Sequence, residues 1–319
     1  MDFSSIAEYL TNPALLFFIL GLLGAQLKSD LEIPQNSSKF IALYLLLSIG
    51  FKGGQELAHS TFGLDIFWAL FLGILLAILV PLYTYFVLRL KFTRENSGAI
   101  AAAYGSVSAV TFVTAVSFLE MENIDYGGHM VAVMALMEAP SIIVGVFLMS
   151  YFSKQSSKLD ISVILKHSVF NGSVLLILGS LIIGYTASDA QAEGIKPFTT
   201  DIFKGFLSVF LLDMGITSGR KIKSLINKGW FALSFSILIP LVNGTLVALA
   251  SGYFIESVGD RFLLTILAAS ASYIAVPAAM RIAAPKANPG LYLPMALAIT
   301  FPFNITFGMP IYMFLISLS

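Results

Sequence analysis

From Leu64 to Leu88 the chain reads LDIFWALFLGILLAILVPLYTYFVL, an unbroken apolar run in which Asp65 is the single charged residue. As a helix such a run rises about 1.5 Å per residue, enough to cross a hydrocarbon core roughly 30 Å thick. Comparable runs recur near 13–28, 38–55, 97–119, 128–152, 169–187, 199–217, 229–253, 261–283 and 291–317. With 57% hydrophobic and 11% charged residues and a mean hydropathy of +0.88, the whole chain is expected to be one membrane domain. Ten transmembrane helices of an all-α integral membrane protein are the predicted fold. The segment before the first run carries Asp2 and Glu8 but no basic residue, so that run is expected to be a retained span.

Eighteen basic and eighteen acidic residues cancel, which argues against a nucleic-acid partner, and the absence of cysteine removes disulfides and thiolate metal sites. His59, His129 and His167 are too far apart in sequence to suggest a metal cluster. Neither a serine-protease Gly-x-Ser-Gly motif nor an aspartyl Gly-x-Gly-Asp motif occurs, so no enzyme and no resident cofactor are expected.

Basic residues gather after every second run: Lys28 and Lys39; Arg89, Lys91 and Arg94; Lys154, Lys158 and Lys166; Arg220, Lys221, Lys223 and Lys228; Arg281 and Lys286. Positive charge marks the cytoplasmic side. The other connections are poor in basic residues, ENIDYGGH most clearly, with Lys196 and Arg261 as exceptions, so both termini are expected outside the cytoplasm. Trp68 and Trp230, near span starts, read as interfacial anchors.

The two halves of the chain resemble each other. LLLSIGFKGGQE matches FLLDMGITSGRK, aligning Gly50 with Gly215 and Gly54 with Gly219. In AAAYGSVSAVT and AASASYIAVPA, Ser106 pairs with Ser272 and Ala109-Val110 with Ala275-Val276, and Glu138-Ala-Pro140 matches Thr300-Phe-Pro302, all at offsets of 162 to 166 residues. We divide the chain into a five-span repeat (1–153), a cytoplasmic linker (154–168) and a second five-span repeat (169–319). An odd number of spans makes the second repeat inverted, an arrangement that transporters use to build a midplane site from discontinuous helices.

Spans four and nine are the expected discontinuous pair. Gly105-Ser-Val-Ser108 interrupts one, and Ser270-Ala-Ser-Tyr273 followed by Pro277 interrupts the other. Such breaks leave backbone groups that only protein or a wet cavity satisfies at membrane depth. Two helix ends would face an anion, and hydroxyls with freed carbonyls would ligate a small hard cation such as sodium. Candidate substrate-binding residues are Ser106, Ser108, Ser270, Ser272 and Tyr273, and candidates for cation binding or coupling are Thr111, Glu138, Ile274, Thr300 and Asn304. Serines also mediate close helix packing, and that reading stays open for each. Glu138 and Asp213 are intramembrane carboxylates that call for a partner or a functional role, and Lys52 is the repeat-related basic candidate for Asp213.

On these motifs the chain resembles the sodium-dependent bicarbonate permeases of the SbtA family. The likeness rests on Ile49-Gly-Phe-Lys-Gly-Gly54, Tyr104-Gly-Ser-Val-Ser108, Glu138-Ala-Pro140, Ser272-Tyr-Ile-Ala-Val-Pro277, Arg281 and Ala287-Asn-Pro289. It implies a plasma-membrane homotrimer of ten-span protomers in which a core moves against a gate, carrying bicarbonate in with sodium. It also implies a small PII-like regulatory protein at the cytoplasmic face. The chain departs from the family pattern at Tyr273 and Ala275, where members carry aspartate and serine, and at Glu138, where they carry aspartate. The alternatives left open are another small anion, coupling to protons through Glu138, or a ligand sensor without net transport.

Overall fold

A computed structural model describes residues 11–60, 63–152, 171–226 and 229–319. Asp2, Glu8, Lys154, Lys158, Lys166, His167, Lys228 and the whole 154–168 linker lie outside the described residues. The described chain is helical throughout, with no strand. Its helices are α1 (Pro13–Gln26), α2 (Gln35–His59), α3 (Leu64–Leu88), α4 (Arg94–Gly105), α5 (Ala109–Met121) and α6 (His129–Tyr151). They continue as α7 (Gly172–Thr186), α8 (Asp189–Lys196), α9 (Phe203–Ile226), α10 (Trp230–Ala250), α11 (Val258–Ala269), α12 (Ala275–Ala283) and the helical run α13 (Pro289–Ile316). Among the described residues, six helical runs are long and apolar enough to cross a membrane, counting α4–α5 and α8–α9 each as one run. The helices α1 and α7 are shorter but apolar.

Two crossings are made backbone to backbone. A Cβ on Gly215 of α9 would overlap the Phe18 carbonyl oxygen of α1, and one on Gly21 of α1 would overlap that of Leu212. The same contact recurs between α2 and α7: Gly50 abuts Ile177, Gly54 abuts Leu181, and Gly184 abuts Phe51. Small residues let helices approach this closely where lipid offers no competing hydrophobic drive. Gly50 and Gly54, and the Gly215 and Gly219 aligned with them in the sequence, each lie at one of these two close crossings.

A second set of helices holds most of the buried polar side chains: α3, α4 and α6 pack on one another, and α11 packs against α3, α5, α10 and α13. Pro81, inside the continuous α3, seats its ring against Gly105 at the end of α4, and Ser141 of α6 donates to the Ala77 carbonyl. The two sets meet where Gly53 of α2 touches Gly128 and Val131 at the start of α6, and where Ser218 of α9 donates to the Leu297 carbonyl of α13.

Other details depart from expectation. The helical path into α9 begins ten residues early, at α8, because Ser188 and Gln191 form a reciprocal N-terminal cap, and a π-helical turn (Pro197–Asp201) joins the two. Two further π-helical turns, Met295–Thr300 and Asn304–Gly308, interrupt α13. Asp213 does not meet Lys52: it accepts a 2.5 Å hydrogen bond from Ser38, while Lys52 pairs with Glu120. Burial favours these nearer partners, since an unpaired carboxylate or ammonium at membrane depth is costly.

Candidate functional site

Gly105 ends α4 and Ser108 caps α5, its hydroxyl accepting from the Thr111 amide, while Ser106 and Ser108 are extended between the two helices. In the second break α11 ends at Ala269, the backbone turns extended at Ser270, and α12 begins at Ala275. Pro277 therefore lies in the first turn of α12, downstream of the break it was expected to make. A missing N–H is harmless there, because first-turn amides have no partner within the helix.

The two breaks cross and bond to each other. The Ser272 amide donates to the Ala103 carbonyl at 2.8 Å, and the Ser108 amide donates to the Ser270 hydroxyl at 3.0 Å. Carbonyls freed at the end of α11 are met by asparagines on neighbouring helices: Asn243 donates to Ala268 and Asn304 donates to Ala269. Ser272 in turn accepts from the Val276 amide inside α12. Together these bonds satisfy the extended backbone of the breaks and the helix ends beside them in a buried setting, which is the condition for a break to persist at this depth.

Against this crossing lies a cavity with about 30 Å³ open to the centres of water-sized spheres, room for about two waters. Ser108, Ser272, Tyr273, Ile274 and Glu138 line it, together with Ser173 of α7. Glu138, in mid-α6, is 8% exposed, and no hydrogen bond or ion pair reaches its carboxylate among the described residues. The Tyr273 hydroxyl, on a side chain 9% exposed, lies beside that of Ser108 without reaching hydrogen-bond geometry, and its ring packs edge-on against Phe301. The first residues of α5 and α12 stand on its wall, as Ala109, Val110 and Ala275.

The remaining candidates serve around the cavity. The Ser270 hydroxyl ties the breaks together, and those of Ser106 and Thr111 are buried without a hydrogen-bond partner. Thr300 is absent from the cavity wall; its hydroxyl donates to Ser236 and meets Tyr104 at 2.7 Å. Asn304 supports α11 from α13. Sequence reasoning missed the far wall, Ala42, Leu45 and Leu46 of α2 and Phe210 of α9. These are ordinary apolar span residues, and nothing in their local sequence marks them.

A second polar region lies beyond the end of α5. Lys52 and Glu120 form an ion pair at 2.5 Å between α2 and α5, and Glu56, Asn123, Asp125 and Tyr126 surround a cavity of about 340 Å³ beside it. Burial, with the carboxylates of Glu120 and Glu56 nearby, raises the pKa of the Tyr126 phenol and keeps it neutral.

Compared with curated proteins, the chain matches none. A family model for the Na+-dependent bicarbonate transporter superfamily matches residues 13–317, nearly the whole length. With its apolar helices this makes a multi-pass membrane protein. The crossed breaks and their cavity thus sit in a chain that belongs to the Na+-dependent bicarbonate transporter superfamily, a group of carriers and not of enzymes.

Proposed function

We propose that the protein imports bicarbonate together with sodium by alternating access around the crossing of α4–α5 with α11–α12. The observation that carries this reading is the cavity at that crossing, lined by the N-terminal ends of α5 and α12, by Ser108, Ser272 and Tyr273, and by one unpaired carboxylate, Glu138. Amides and hydroxyls hold an anion without a buried lysine or arginine. A carboxylate on the same wall repels that anion unless a cation sits between them. Coupling follows from this arrangement: sodium on Glu138 makes the anion acceptable, and each ion raises the affinity for the other.

The same reading takes the chain as ten spans in two inverted repeats, a gate of α1, α2, α7 and α9 and a core of the other helices. The paired glycine crossings support it, α1 on α9 echoing α7 on α2. The cavity borrows its far wall from the first half of α2, whose leading end carries Lys39. The positive-inside rule then makes this the cytoplasm-facing state, with the Lys52–Glu120 pair closing the opposite side. A plasma-membrane homotrimer with both termini outside, and a PII-like protein on the cytoplasmic face, complete the proposal by resemblance.

Purified protein in liposomes should accumulate labelled bicarbonate only when an inward sodium gradient is imposed. Uptake no greater than that of empty liposomes would remove bicarbonate as the substrate. One observation favours a second reading: a buried carboxylate with no partner is equally able to carry a proton. Varying pH and sodium independently separates the two, since proton coupling leaves uptake intact in sodium-free buffer with an acidic exterior.

A further inference from the structure

We infer that Tyr83 and Tyr312 are positioning residues for the transport site, each orienting an asparagine that holds one carbonyl at the end of α11 and, through it, the second helix break. The inference rests on the transport reading above in taking the crossing as the place where the ions bind. The last carbonyls of α11 have no partner within the helix. Two consecutive ones, of Ala268 and Ala269, are taken by the side-chain amides of Asn243 from α10 at 3.2 Å and Asn304 from α13 at 2.7 Å. An amide does this only one way round, since turned over it would set oxygen against oxygen. The Tyr83 hydroxyl of α3 donates to the Asn243 side-chain oxygen at 2.5 Å and so favours the working orientation. The Tyr312 hydroxyl stands 3.4 Å from the Asn304 side-chain oxygen and 3.0 Å from the Pro240 carbonyl, and shares its proton between them. Two glycines make room for its ring: a Cβ on Gly244 of α10 or on Gly308 of α13 would press against it.

What these pairs hold leads straight to the cavity. Ala268 and Ala269 precede Ser270, whose hydroxyl accepts the Ser108 amide, and Ser272, whose amide donates to the Ala103 carbonyl. Ser108 and Ser272 stand on the cavity wall, whereas Tyr83, Asn243, Asn304 and Tyr312 do not. The same two helices also brace the first break. On α3, two residues before Tyr83, Pro81 seats its ring against Gly105; on α13, one turn before Asn304, Thr300 meets the Tyr104 hydroxyl. Each tyrosine and its asparagine therefore tie the second break to a helix that already holds the first, and the spacing of the two breaks is set from two sides. Hydrogen bonds in such a chain polarise and strengthen one another, so losing the tyrosine hydroxyl loosens the bond beyond it.

Replacing tyrosine by phenylalanine removes the hydroxyl and little else, and α3 supplies its own control, because the buried Tyr85 hydroxyl has no hydrogen-bond partner among the described residues. In liposomes, labelled bicarbonate uptake by Tyr83→Phe and by Tyr312→Phe should need about fivefold more sodium for half-saturation, the worth of one hydrogen bond, at an unchanged maximal rate. Tyr85→Phe should behave as the wild type. A residue that only holds the fold together would lower the maximal rate and leave half-saturation where it was. Hydrogen exchange read by mass spectrometry reports on the breaks without any transport: segments 103–108 and 268–276 should exchange faster in both variants, and the rest of the chain should not. Unchanged exchange at the breaks would overturn the inference, and so would faster exchange with an unaltered sodium requirement. Absence of bicarbonate flux in the wild type would remove the transport reading alone, because the exchange comparison still decides whether the tyrosines fix the breaks.

Discussion

At the scale of single residues the most informative group is Glu138, because its consequences for stability and for function have opposite signs. A buried carboxylate without a partner destabilises the fold, so Glu138→Gln should leave thermal stability equal or higher. The same substitution removes the charge that draws the cation, and a charge-assisted ligand bond is worth about 1.5–3 kcal/mol. Half-saturating sodium for uptake should therefore rise by about ten- to a hundredfold, read from uptake against sodium concentration. A variant that melts earlier but keeps its sodium dependence would assign Glu138 to packing instead. Ser108→Ala should cost about 1 kcal/mol as a lost helix cap and should lower uptake, while Ser272→Ala should lower uptake by freeing the Val276 amide. Size-exclusion profiles of both variants should match the wild type, and unchanged transport in both would move the site elsewhere. These serines were legible in the sequence because hydroxyls amid apolar residues are conspicuous. The roles of Thr300 and Asn304 were not, since what they bond, Ser236 and Ala269, is set by helices far away in the chain.

Among the elements, the two broken helices were readable and their neighbours were not. Gly105 and the serines on either side of Val107 and Ala271 announce unwound backbone, and the structure unwinds there. Pro277 looked like the cause of the second break and is instead a first-turn proline, a distinction that depends on where the helix starts and not on the residue itself. The π-helical turns of α13 leave no local signature in MALAIT or NITFG. Nor could sequence pair Lys52 with Glu120, because that contact joins α2 to α5 across 68 residues. The pair spans the two helix sets at the end of α2 farthest from Lys39. Lys52→Met or Glu120→Gln should each weaken closure on that side, leaving a half-buried partner uncompensated. The doubly reversed protein, Lys52→Glu with Glu120→Lys, should recover most of the lost uptake. If both single variants transport normally, the ion pair plays no part in the cycle.

For the whole molecule, the lack of cysteine turns topology into a direct measurement. Cysteines placed singly at Ser29, Asn123 and Lys286 should react with a membrane-impermeant thiol reagent from two different sides: Asn123 from outside intact cells, Ser29 and Lys286 only after the membrane is opened. Labelling of all three from one side would refute the ten-span inverted arrangement. The membrane class, the helical fold and the location of the crossing followed from hydropathy and from misplaced polar residues, since those signals are local. The apolar far wall of the cavity is a property of assembly, in which Leu45 and Phe210 differ from any other leucine and phenylalanine only by what they face.

Where a carbonyl oxygen fills the place of a Cβ, two helices interlock like teeth. Neither α1 against α9 nor α2 against α7 can slide lengthwise by a fraction of a turn without collision at Gly215 or Gly54. Those crossings therefore act as built-in rulers. Spin labels on α1 and α9 should report one unchanging distance through the whole transport cycle, and any label pair whose distance does change must straddle the boundary between the fixed and travelling parts.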